Sequence, residues 1–203
     1  MYFTKEFRKS LFNKILGNNY EAYVVKLRTG IYSDDAEEMA RIVDAMFVAW
    51  HKIIRERNKN YLKNYRGLMK RLVFEYKEET GCFSPIFYLF CIRKFTDLPA
   101  QEEYRNRIAI EKIKVQTYIK WFSTWASAVK MCSPVSVGFS LVELENLERV
   151  LGEFCTNEKY TLFPLIDEAK RALLKKASGD GKHKLVTFGG IFKEMNRQMT
   201  VER

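Results

Sequence analysis

The chain has 203 residues, 47% of them hydrophobic and 14% aromatic, with a formal net charge of +10 and an isoelectric point near 9.4. So apolar a composition excludes a disordered chain, and so basic a one points to an acidic partner, either nucleic acid or an anionic membrane surface. The longest apolar run, residues 85–92, is far short of the ~20 residues of a membrane-spanning helix. The first residues carry Lys5, Glu6, Arg8 and Lys9 without the apolar core of a secretory signal. The expectation is therefore a soluble protein of the cytoplasm or nucleus.

With only four prolines and ten glycines, long regular elements are expected. The fold class predicted is all-α: an irregular bundle of about seven to nine helices, with two long helical segments at about 34–79 and 101–131. Phe3, Phe7, Leu11 and Ile15 step by four and predict a helix over 2–16, closed by Gly17 and Asn18. A short helix is expected over 20–28. Ser33 suits an N-cap, and Asp34, Asp35, Glu37 and Glu38 complement the dipole of the helix that follows. Its inner face is Met39, Ile42, Val43, Met46, Phe47 and Trp50. Read instead as metal ligands, the four acids lack a second carboxylate group to join them.

Residues 52–71 carry eight Lys or Arg and a single acid, Glu56. On a helix, Arg55, Lys59, Lys63, Arg66 and Lys70 would share about 80° of arc. Ile54, Tyr61, Tyr65, Leu68 and Leu72 would form a separate apolar seam, more than about 100° from the centre of the basic stripe. A face that served only solubility would mix acids with its bases, so this stripe reads as a site for anions. Gly67 interrupts it, and a kink is expected near 58–60 or there. Thr80 and Gly81 close the region. Ser84 and Pro85 would open a buried central helix, because residues 86–95 are apolar nearly all round.

The stretch 101–131 carries Arg105, Arg107, Lys112, Lys114 and Lys120. Its Tyr118, Trp121 and Trp125 suit a core, a subunit interface or stacking on bases. Residues 132–139 form the best internal boundary, dividing a main helical domain (1–131) from a smaller subdomain packed on it (132–203). Ser140 and Glu143 match a capping box, and an acidic helix over 141–155 could build a homo-oligomer against basic faces. A helix over 161–177 runs into a loop with Lys175, Lys176, Lys182, His183 and Lys184. A strand-like 185–188 and a final helix complete the chain.

No catalytic constellation stands out. There is no G-x-S-x-G elbow, no H-E-x-x-H and no Walker pattern, and the histidines are two, His51 and His183. The cysteines Cys82, Cys91, Cys132 and Cys155 have no zinc spacing and read as reduced core thiols. No metal and no cofactor is expected, and the chain reads as a binder rather than an enzyme.

The function expected is binding of nucleic acid, RNA or structured duplex before DNA, through phosphates and with little sequence specificity. The contacts would be Arg55, Lys59, Lys63, Arg66, Lys70 and Arg71, assisted by Lys175, Lys176, Lys182 and Lys184. The alternative is a protein–protein scaffold that forms a homo-oligomer or docks a larger partner.

Overall fold

The computed structural model describes residues 5–18, 20–56, 65–94, 115, 118–129, 136–142, 146–154, 159–161 and 167–201. Its centre is a sheet, not a helical bundle. Five antiparallel strands run in the order β4-β1-β3-β2-β5: β1 (Tyr20–Arg28), β2 (Tyr65–Lys77), β3 (Cys82–Lys94), β4 (Ser136–Val142) and β5 (Val186–Gly190). The helices are α1 (Lys5–Gly17), α2 (Ala36–Arg55), α3 (residues 118–128), α4 (Leu147–Phe154), α5 (Glu168–Ala177) and α6 (Ile191–Val201). The all-α expectation is overturned, and three of its helices, at 20–28, within 34–79 and at 86–95, are replaced by β1, β2 and β3.

The reason is burial on both faces. Side chains along a strand alternate between the two sides of a sheet. On β3, Phe83, Phe87, Leu89 and Cys91 join one apolar cluster, with α2, α3 and α5. Ile86, Tyr88, Phe90 and Ile92 join a second, with α1, α4 and α6. A strand covered on both sides reads as a continuous apolar run, as a buried helix does. Pro85 lies beyond the last β1 partner of β3, Ile86, so its missing N–H removes no β1–β3 bond.

The hairpin β2–β3 pairs Lys77 with Cys82 and runs back to Tyr65 opposite Arg93. Gly81 takes a φ of 69° in its turn, so the break expected at Thr80 and Gly81 is the turn of a hairpin. Gly67 stands at a bulge in β2, and a Cβ there would lie 3.0 Å from both Ile92 and Phe192. Gly190 ends β5 with a φ of 58°, and a Cβ would fall 2.0 Å from the Arg66 carbonyl oxygen. The two glycines let α6 and β5 close onto β2.

Several expected elements are present. Phe7, Leu11 and Ile15 are the buried face of α1. The inner face expected for α2 is the buried one, although its N-cap is Asp35, whose carboxylate accepts from the amides of Glu37 (2.6 Å) and Glu38 (2.9 Å). The strand-like stretch near 185–188 and the last helix are β5 and α6. Ser140 opens no helix: it pairs with Val24 inside β4. No helix among the described residues is long and apolar enough to cross a membrane.

Candidate functional site

The sheet explains what becomes of the basic stripe. Helix α2 ends at Arg55, which is exposed, and Arg66 is exposed on β2. Lys59 and Lys63 lie outside the described residues. Lys70 and Arg71 are neighbours on the strand and are 1% and 2% exposed, so neither can reach an external phosphate. Being consecutive, they point to opposite faces of the sheet. Arg71 turns into the α4 side, where Nη1 donates to the Phe154 carbonyl (2.8 Å) and Nη2 to that of Thr161 (3.4 Å). It is a clamp on the backbone.

Lys70 turns to the α2 side and meets rings. Its Nζ lies 3.7 Å from the centroid of Phe47, 4.2 Å from Phe87 and 5.6 Å from Trp50. Among the described residues it has no hydrogen-bond or ion-pair partner. Burial pushes its amine down to about 7, while the ring faces favour the ammonium and pull the other way. The box is assembled by geometry. Phe47 and Trp50 share a face of α2 three residues apart, and Phe87 lies across the hairpin on the same side of the sheet.

Lys70 is one of the residues that line a cavity of about 430 Å³ between the C-terminal half of α2 and the β2–β5 edge. Trp50, Ile54, Tyr65 and Leu68 give it apolar walls, and Thr187, the cross-strand partner of Lys70, adds a hydroxyl. His51, Lys182, His183 and Lys184 supply polar and cationic groups. His183 is held from two sides. Its ring stacks on Phe47 at 4.0 Å and 6°, and its Nε2 lies 2.5 Å from Asp44. Hydrogen bonds from Lys182, and then from His183, hold the Asp44 carboxyl below the usual carboxylate range. An ionised Asp44 can only accept, so Nε2 carries the proton.

The other predicted phosphate contacts divide. Lys175 lies 3.9 Å from Asp180, Lys176 3.2 Å from Glu37 and Lys182 2.5 Å from Asp44. These exposed pairs contribute little to stability, but they cancel charge that the sequence reading assigned to a partner. Lys184 is exposed and has no carboxylate partner among the described residues. The structure thus brings Lys182 and Lys184 to the cavity and leaves Lys175 and Lys176 on α5. Trp121 and Trp125 are core residues, 1% and 0% exposed, and cannot stack on bases. Their indoles donate to the Tyr65 hydroxyl and the Arg28 carbonyl, each at 2.9 Å.

The sequence reading missed Asp44, Phe47, Trp50, Tyr65 and Thr187 as site residues. Among the described residues no group of three or more His, Cys, Asp or Glu is placed to hold a metal ion. No family model, no curated protein and no solved structure matches this chain.

Proposed function

We propose that this protein binds nucleic acid, taking one unpaired nucleotide into the cavity between α2 and the β2–β5 edge. The observation that supports this reading is the pairing of apolar, aromatic walls with a cationic rim in one cavity. A nucleotide has a flat apolar base and an anionic phosphate, and needs both. Lys184 serves the phosphate, Arg55 and Arg66 are exposed on the two elements that flank the cavity, and the net charge of +10 steers the encounter. Backbone contact without a reading helix in a groove gives little sequence specificity.

The test is fluorescence anisotropy with single-stranded and duplex oligonucleotides over a range of salt. Single strands are expected to bind more tightly. If about three rim cations each neutralise a phosphate, the slope of log K on log salt is about −2. Lys184→Glu is expected to weaken binding on the order of tenfold while leaving the circular dichroism unchanged. Equal affinity of that variant and the parent removes the cavity rim as the site.

A separate observation favours the scaffold reading. Val115, Tyr118, Ile119 and Phe122 are exposed, by 55%, 41%, 55% and 38%, and fall at helical spacing along one face. A second copy of the chain is the occupant this reading requires. It expects light scattering to report a dimer or larger particle that Phe122→Glu dissociates; a parent chain that stays monomeric at high concentration rejects it.

A further inference from the structure

A buried lysine without a partner is expensive to keep, and Lys70 does more than line a wall. Among the described residues, the groups recorded around its Nζ are ring faces, Lys70 lines a cavity large enough for a small molecule, and two imidazoles, His51 and His183, line the same space. Desolvation in an apolar pocket is the means by which an amine becomes a nucleophile at neutral pH, since only the uncharged form has a lone pair to give. Burial pushes the Lys70 amine down to about 7, so near neutral pH its uncharged share is far larger than that of a surface lysine.

We propose that Lys70 is a nucleophilic amine that captures, as an imine, an aldehyde carried next to a phosphate. The aromatic walls take the body of such a molecule, and Lys184 takes its phosphate. In the first step the Nζ lone pair forms a bond to the carbonyl carbon, and a proton moves from nitrogen to the carbonyl oxygen. In the second the carbon–oxygen bond breaks, and the hydroxyl leaves as water with the remaining amine proton. No oxidant or reductant is consumed. His51, which lines the same cavity, is the group that can carry the protons through water. Asp44, bonded to Nε2, holds the His183 ring in a single orientation against Phe47 and so fixes that wall.

The same chemistry has two sources: a free phosphorylated aldehyde, or the sugar aldehyde at an abasic position of a nucleic-acid strand. The capture step goes beyond nucleic-acid binding and does not require it. The experiment uses the full chain with two probes, pyridoxal 5′-phosphate and an oligonucleotide carrying one abasic site. Each is reduced with borohydride, and the modified residue is mapped by mass spectrometry.

With pyridoxal phosphate at pH 7, Lys70 is expected to be labelled on the order of tenfold faster than exposed lysines such as Lys175. Lys70→Met is expected to lose that label. Trapping of the abasic strand on Lys70 as well assigns a nucleic-acid source; trapping of pyridoxal phosphate alone assigns a free aldehyde. Label spread over exposed lysines, with Lys70 modified no faster than they are, overturns the proposal. The mapping is made on the parent chain, so it stands whether or not the variant folds. A protein that fails to bind intact oligonucleotides but labels at Lys70 rejects the nucleic-acid reading and leaves this one standing.

Discussion

Lys70→Met is expected to stabilise the protein, on the order of 2 kcal/mol at pH 7. Methionine fills nearly the same space with no charge to desolvate, and no hydrogen bond is lost, because Lys70 makes none among the described residues. The favourable contact of the ammonium with Phe47 and Phe87 is lost, which offsets part of the gain.

The pH dependence is the sharper signature. The folded-state amine titrates at about 7, below the unfolded value of about 10.4. Between those values the unfolded chain binds the extra proton, so stability rises with pH through that window, by on the order of 4 kcal/mol in all. Below the folded value both states are protonated and the full cost is present. Urea denaturation of parent and variant from pH 6 to pH 10 isolates the Lys70 contribution as the difference between them. A variant that is less stable than the parent, or that keeps the parent's slope, would show that the amine is solvated or paired.

The neighbouring residue should behave in the opposite way. Arg71→Leu is expected to destabilise by about 3–5 kcal/mol. Leucine leaves the carbonyl oxygens of Phe154 and Thr161 buried without a donor, and backbone acceptors cannot be mutated away to compensate. For a chain of this size that is a fall of roughly 10 °C in Tm, readable by calorimetry. An unchanged Tm would mean that water replaces the guanidinium. Two adjacent cations on one strand thus divide by whether they have partners: Arg71 holds the chain together, and Lys70 works against it.

How much of this was legible in the chain depended on the range over which the signal acts. The start and inner face of helix α2 were readable, although the cap is Asp35 and not Ser33, because the acidic first turn and the apolar positions 39, 42, 43, 46, 47 and 50 all lie within one element. Strand β3 was not, because a run with both faces covered has neither helical nor strand period; its aromatic richness was the only local hint. The basic stripe failed for a different reason. Residues 52–71 span the end of α2, a stretch outside the described residues and the first half of β2, so no single helical period holds across them.

The site was hidden more deeply still. His183 and Asp44 meet across 139 residues of sequence, and Lys70 meets Phe87 only through the hairpin register. Neither meeting has a local pattern. What could have been noticed is that Lys70 follows Leu68 and precedes Leu72 and Phe74 at intervals of two, a charge set within an apolar face.

The order of the strands governs how the molecule must assemble. The β2–β3 pair is closed by a tight turn and can form early, whereas β5 must return to β2 from more than a hundred residues downstream. During synthesis the hairpin leaves the ribosome long before the segment that seals its flank. Until that last strand arrives, water still solvates the lysine ammonium, and its desolvation is deferred to the end of folding. Hydrogen exchange should accordingly find the amides of β5 opening first, so that the amine's isolation from solvent is the most easily reversed feature of the native state.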